Sequence, residues 1–431
     1  MTPEVQESPV DKRIDSPAFY QDDYEATFAR LREQDPVHWQ AETELWIVTR
    51  HAHVREISSS PEVFSNNYGV TVGAHAIARQ LWAAAEPADD ANRGWELAEL
   101  RRHIGRRSSA LPDLDNLQSL DPPAHGALRK LFVHSFTPAA LRPLEDRVRE
   151  LTRGVLDEIS TGETGDFIDL LAAPVPIYVI AELLGVAKED RDDFRRWSDV
   201  VISAVEPKTD EARAHDQAQL QEMFTYFRDQ VALRRQHPQD DLLTLMVEAE
   251  VDGEPLSSPV IETLAKLILS AGNETTRSSI SSAAAALAQS PGERARLIDS
   301  PALIDTAVNE LLRWGTPVRA FCRTATRDTV VGERAIARGD YLALSFVSAN
   351  RDPAIWPDAD RLDVTRKVQP NHLTFNHGPH VCIGQSLARL ELKVVIEELL
   401  ARFPDYELLS EPEVTPSTMV NSIRRMPVVF R

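Results

Sequence analysis

The stretch TFNHGPHVCIG, residues 374–384, sets one of the chain's two cysteines among histidines, glycines and a proline. Four chemistries could use Cys382 there. His372, His377, His380 and Cys382 offer imidazole and thiolate, good zinc ligands, but no second paired Cys/His element accompanies them. A nucleophilic cysteine needs a partnered base and an orienting third group, and nothing in the sequence picks one out. A disulfide would have to reach Cys322, 382 − 322 = 60 positions away. The fourth is a thiolate ligand to something larger. A thiolate at the start of the helix GQSLARLELKVVIEELLARFP would meet free backbone N–H groups and a positive dipole end. Gly378 and Gly384 let the backbone turn tightly and approach a flat partner. A buried inert thiol would leave Phe375, Gly378, Gly384 and that helix unexplained.

Three other groups could carry chemistry. AGNETT, residues 271–276, sits midway along a long helical pattern, with Ala271 and Thr275 four apart and so on one side. A packing notch or kink explains it equally well, since glycine inside a helix costs about 1 kcal/mol. In PALIDTAVNELLRW, Glu310 and Arg313 are three apart on one helix face, alone an ordinary surface pair. In LDPPAHGALRKLF, His125 and Arg129 are four apart on a helix opened by Pro122 and Pro123, alone an ordinary basic turn.

The elements that must position these groups are mostly helical. YQDDYEATFARLREQDP carries apolar residues at helical spacing, WIVTRHAHVREISS reads as strand then helix, and TPAALRPLEDRVRELTRGVLDEIS as one long helix opened by Thr137 and Pro138. WSDVVISAV, EARAHDQAQLQEMFTYFRDQVALRRQ and DDLLTLMVEAEV add three more. The longest runs from Pro259 to Ser290, capped by Ser258; about 32 residues rising about 1.5 Å each span about 50 Å. From Leu267 to Ala288 it is apolar or small on every side except at Asn273, Glu274 and Arg277, as a buried helix should be. β-like runs follow in RTATRDTVVG, YLALSFVSAN and MPVVFR. The pattern is mainly α with a minor β part, a single domain over 1–431 with about residues 1–14 flexible. The long connection from 66 to 119 is expected to fold over something, since unpatterned stretches of that length are rare unless functional.

Composition narrows the function. In 431 residues, 47 Lys and Arg against 67 Asp and Glu leave 47 − 67 = −20, which argues against nucleic acid as partner. The start lacks an apolar core with a cationic lead, and AAPVPIYVIAELLGVA contains two prolines and Glu182, so no membrane anchor is expected. Two cysteines fit a reduced, cytoplasmic protein.

The set F-x-x-G-x-H-x-C-x-G, as Phe375, Gly378, His380, Cys382 and Gly384, resembles the haem-binding loop of the cytochrome P450 monooxygenases, with Asn376 where the family usually has glycine. The resemblance implies that family's fold, with the long helix crossing over a haem b (iron protoporphyrin IX), and Cys382 as the iron's ligand. Glu310 and Arg313 resemble the family's buried ion pair, completed by Arg361 in WPDADRLDV. AGNETT resembles the oxygen-activation motif: Gly272 beside Ala271 opens a groove over the haem, Thr275 donates a hydrogen bond to dioxygen, and Glu274 relays protons. His125, Arg129, Arg323 and His380 are implied to bind the haem propionates, with Phe375, Gly378 and Gly384 completing the cofactor's surroundings.

The chemistry implied is insertion of one oxygen atom from O₂ into a hydrophobic small molecule, the thiolate favouring O–O cleavage. No dinucleotide or flavin module is present, so electrons would come from a separate ferredoxin and ferredoxin reductase, docking near Arg106, Arg107, Lys130, Arg389 and Lys393. Substrate contacts are expected from Leu267, Ala271, Val318, Ala320 and Phe321, the 66–119 connection, helices around 175–215 and the turn at Val420 to Ser422. LSAGNETTR and SIRRMP resemble bacterial members acting on steroids, terpenoids or methyl-branched lipids. Two alternatives stay open: a haem-thiolate peroxygenase or other non-oxygenating haem enzyme, and a non-catalytic haem binder.

Overall fold

One helix runs through two apolar cores and leaves a gap between them. In the computed structural model, which describes residues 13–21, 24–75, 79, 117–203, 209–251, 253–367 and 371–431, this helix spans Ser258–Gln289. Pro259 lies in its first turn, Ser257 caps it one residue earlier than the sequence indicates, and the Ser290 N–H closes it on the Leu287 carbonyl. Its first half buries Ile261, Leu264, Ala265 and Leu269 in one core, its second half Ile280, Ala283, Ala284 and Leu287 in the other. Each such Leu or Ile contributes about 1.5–3 kcal/mol, so both ends are firmly held. AGNETT falls between them.

The helices that position the site are α1 (His51–Ser58), α2 (Ala124–Val133), α3 (Leu144–Asp157), α4 (Pro174–Leu183), α5 (Arg191–Ser203), α6 (Ser258–Gln289), α7 (Ile304–Gly315) and α8 (Gln385–Arg402). The segment opened by Thr137 is not one long helix. Thr137 caps a single turn, Pro138–Leu141, and Pro143 separates it from α3, because proline's ring and missing N–H do not fit a helix interior.

Strands β1 (Val37–Gln40), β2 (Leu45–Val48), β3 (Phe64–Ser65), β4 (Ala320–Ala325) and β5 (Tyr341–Ser345) form a sheet in the order β1-β2-β5-β4-β3. All neighbours are antiparallel except β5 and β2. The register pairs Leu344 with Phe321 and Leu342 with Arg323. Alternation therefore puts Phe321 and Arg323 on one face of β4, Ala320 and Cys322 on the other.

Most of the 66–119 connection, with Arg106 and Arg107, lies outside the described residues, as do residues 1–12. Among the described residues no helix is long and apolar enough to cross a membrane.

Candidate functional site

The cysteine loop is short turns bound to its surroundings at almost every residue. Leu373–Phe375 and Gly378–His380 are single 3-10 turns, and the Cys382 N–H donates to the Phe375 carbonyl at 2.8 Å. Asn376 has φ 61° and ψ −165°, a region that costs a side-chain-bearing residue about 1–3 kcal/mol. Gly378, at φ 70°, passes so close to α1 that an added Cβ would stand 2.2 Å from the Ser58 carbonyl oxygen. Its glycine serves that contact, and Gly378 is not among the residues lining the cavity described below. Gly384 is the first residue before α8, and its N–H is aimed at the Cys382 sulfur. Burial pushes the Cys382 thiol up, while the Gly384 N–H, Arg129 and Arg389 pull it back down. A cation at the sulfur would complete the deprotonation.

The zinc alternative dissolves in the geometry. His372 packs on Phe375, His377 meets Arg55, and His380 lies against His125. Among the described residues no three His, Cys, Asp or Glu side chains gather as a metal cluster. Both cysteines are free, and Cys322 is buried on the far face of β4, its thiol pushed up to about 12 by burial.

Behind the loop lies a fully buried ion pair. Arg313 Nε and Nη2 donate to the two oxygens of Glu310 at 2.7 and 2.8 Å, and both side chains are wholly shielded. Arg313 Nη1 reaches the carbonyls of Asn350 and Ala359. Asn350 in turn accepts the Leu373 N–H at 2.6 Å and donates to Thr374 Oγ1, so the frame hands its position to the loop through one asparagine. The third member is not Arg361. That side chain is 70% exposed and makes one 3.4 Å contact with Asp363. Arg366 completes the pair, its Nε 3.2 Å from Glu310 Oε1 and its other nitrogens on the carbonyls of Pro357, Asp358 and Arg361. The physical reason is the turn at 358–361, where the Arg361 N–H returns to the Asp358 carbonyl and the chain turns Arg361's side chain outward while its carbonyl faces Arg366.

Between the frame and α6 opens a cavity with about 1480 Å³ of empty space including its mouth. Cys382 is exposed to it although it lies deep in the fold. Leu267, Ala271, Gly272 and Thr275 of α6 form the facing wall, together with Val318, Phe321, Phe375 and Gly384. Ala320 is not in the wall; strand alternation turns it away. Helix α6 is unbroken at Gly272, whose missing Cβ lets α4 approach: a Cβ would be 2.5 Å from Ile180 Cδ1. The Thr275 hydroxyl donates to the Ala271 carbonyl at 2.7 Å. Glu274 points elsewhere, with Arg277 Nη2 at 2.6 Å from Oε2 and Ser278 beside it; burial raises its pKa and Arg277 opposes that. The turn at Val420 to Ser422 also stays out of the wall, and Val420 supports it from behind by bridging Val318.

One side of the cavity is lined by His125, Arg129, Arg323 and His380. The two imidazole rings stand 4.0 Å apart. Arg323 Nη2 and His380 Nε2 are buried without a partner, and no carboxylate pairs with any of the four among the described residues. Burial foremost, then mutual repulsion, drives His125 down to about 4 and His380 to about 2, and burial lowers Arg323 to about 10. Such a cluster wants an anion. The haem implied by the sequence fits it on two counts: its propionates supply that anion, and its iron takes a thiolate in the same cavity.

Sequence reading missed several wall residues. Phe132 and Phe136 line the cavity beside His125 and Arg129; the spacing 125, 129, 132 marks one face of α2, and Phe136 follows in the turn after it. Glu391 was also passed over. It stands in the wall with Leu387 and Ala388, is 1% exposed, and neither carboxylate oxygen has a partner. Its signal is a charge inside the apolar stripe of α8.

Comparison with known proteins agrees with this geometry. The sequence profile described as Cytochrome P450 matches residues 177–423. Linalool 8-monooxygenase of Pseudomonas putida is 34% identical, covering 94% of each chain. Vitamin D(3) 25-hydroxylase of Pseudonocardia autotrophica is 34% identical over 96% of this chain and 95% of its own. Among solved structures, Bacillus megaterium CYP109E1 in complex with corticosterone superposes with a TM-score of 0.79 at 26% identity, covering 95% of this chain and 98% of that one. With a thiol, a cationic cluster and a long helix facing one cavity, and with relatives of this extent, the chain belongs to the cytochrome P450 family of monooxygenases.

Proposed function

We propose that this enzyme binds haem b through Cys382 and uses dioxygen to hydroxylate a hydrophobic substrate of terpenoid or steroid size. The observation that carries the reading is the single cavity that Cys382, the unpaired cluster of His125, Arg129, Arg323 and His380, and the small-residue face of α6 share. The haem supplies oxygen activation, its thiolate ligand favouring O–O cleavage. The chain's own residues do the rest. Arg129 and Arg323 would supply the charge that balances two carboxylates, and His125 and His380 would add hydrogen bonds to them. The Gly384 N–H steadies negative charge on the sulfur. Ala271 keeps the cavity's α6 wall small, Gly272 lets α4 pack against that wall, and Thr275 offers a hydroxyl once it releases the Ala271 carbonyl. Glu274, bound to Arg277, moves protons only if that pair opens. Leu267, Val318 and Phe321, with Phe132, Phe136 and Phe346, exclude water and favour an apolar guest.

Relatives named for linalool and vitamin D(3), and a similar solved structure in complex with corticosterone, support the size and polarity of that guest. We assign electron supply to a separate ferredoxin and its reductase, since no flavin or dinucleotide module is legible. Lys130 is exposed for docking, whereas Arg389 is taken up by Asn309 and Gln385 and Lys393 by Asp305. We take residues 1–431 as one domain, because α6 belongs to both cores.

The test is spectral. Haem-loaded protein, reduced under carbon monoxide, should show the red-shifted absorption of a thiolate ligand, and Cys382→Ala should lose it together with turnover. Absence of that signal in the unmodified protein would refute the reading. Titration with terpenes, steroids, fatty acids and macrolides then reports which class enters the cavity.

A further inference from the structure

Asn376 stands where the family usually keeps glycine, in a backbone conformation that suits glycine. Its side chain explains why it stays there. Oδ1 accepts the His377 N–H at 2.8 Å and the Ser58 hydroxyl at 3.1 Å. A backbone N–H only donates, so the oxygen end of the amide is the end held there. Ser58 is the last residue of α1, and the next two loop residues touch the same helix. Arg55 Nη2 lies 3.4 Å from His377 Nε2, and Gly378 rests on the Ser58 carbonyl.

The other end of α1 is anchored in the frame. The His51 N–H donates to Asp352 at 3.0 Å, its ring meets Trp356 edge-on at 5.3 Å, and the Arg313 guanidinium lies 5.6 Å from that indole. Helix α1 is thus a strut between the buried ion pair and the cysteine loop. The clamp at Asn376 adjoins Phe375, whose carbonyl holds the Cys382 N–H. A shift at residue 376 is carried through one peptide unit to that bond.

We propose that Asn376 is a positioning residue for the iron's ligand: by clamping the loop to Ser58 it fixes where the Cys382 sulfur sits, so thiolate ligation in this chain depends on a side-chain contact that glycine cannot make. The proposal rests on the haem-thiolate reading above, and the experiment separates the two. In the haem-loaded full-length protein, Asn376→Gly, Ser58→Ala and the double variant are reduced under carbon monoxide, and the decay of the thiolate absorption is timed. Each single variant should lose it about threefold faster or more. The double should decay no faster than the quicker single, because both changes break one bond. The one-electron midpoint should move in the same direction in both singles. Thermal unfolding of the haem-free Asn376→Gly protein should match the parent, since glycine accepts this backbone. Parent-like decay in both singles, or a double whose acceleration is the product of the two, overturns the clamp. A parent protein without any thiolate signal overturns the haem-thiolate reading and the clamp with it.

Discussion

Glu310 in the frame behind the cysteine loop and Glu391 in the cavity wall are both shut away from water, at 0% and 1% exposure. Glu310 receives Arg313 on both oxygens, with Arg366 and the Asp363 N–H added on Oε1. Glu391 receives nothing from the described residues, and burial alone pushes its pKa well above the usual carboxylate range. Folding does not tolerate bare buried charge: the first glutamate is satisfied by its partners, while burial of the second favours its neutral form. The frame is finished by the polypeptide; the cavity wall is left with capacity for a guest or for water. That contrast separates residues that hold the site from residues that act in it.

The sharpest way to break the contrast is to unbalance the frame. Glu310→Ala leaves Arg313 buried without its counter-charge and should cost about 3–5 kcal/mol in chemical unfolding. Arg366→Ala leaves the Glu310–Arg313 pair intact but strips one charged hydrogen bond and three carbonyl contacts, a smaller loss of about 1.5–3 kcal/mol. Both should also release haem faster, because Asn350 carries the frame's position to Leu373 and Thr374. Unchanged haem retention in Glu310→Ala would detach the frame from the loop.

Glu391 should respond with the opposite sign. Below the ordinary glutamate range folded and unfolded chains both carry the proton, so the acid contributes no pH dependence. As pH rises past that range the unfolded chain ionises while the buried acid does not, and stability falls until the folded pKa is passed. Glu391→Gln cannot ionise. Its unfolding free energy should therefore exceed the parent's increasingly as pH is raised from acid to neutral, and the two should converge in acid. Glu391→Leu, which also removes the unmade hydrogen bonds, should gain about 1–3 kcal/mol at neutral pH. Equal pH profiles for parent and Glu391→Gln would mean that the carboxylate is ionised and has a partner after all.

How much of this was legible follows the same line. Periodicity disclosed α6, α7 and α8, because helices that bury a face must repeat it, and the cysteine loop disclosed itself through residue types that few other tasks require together. Alternation along AFCRTA could have told Phe321 from Ala320, but only with a known facing surface, and the sheet register supplies that. Which of two arginines completes the ion pair was not legible. Arg361 and Arg366 are five apart in one irregular segment, and backbone turns, which carry no periodic signal, decide which one points inward. Pro143 is visible in the sequence, but the apolar spacing continues across it and hides the break. Gly272 was visible too, but its neighbour Ile180 comes from a helix far away in sequence.

The smallest effect is the most discriminating. Arg361→Ala removes a side chain that is 70% exposed and whose single contact, 3.4 Å to Asp363 Oδ2, reaches a carboxylate already held by the Thr365 N–H and hydroxyl on its other oxygen. An exposed pair of that kind is worth about 0–1 kcal/mol and is screened by salt. The variant should unfold within about 0.5 kcal/mol of the parent, keep its haem, and lose even that difference at high ionic strength. The Arg361 carbonyl, which Arg366 uses, is untouched by the substitution. If Arg361→Ala destabilised the protein as much as Arg366→Ala, the ion pair would be closed by residue 361 and the turn at 358–361 would have to run the other way.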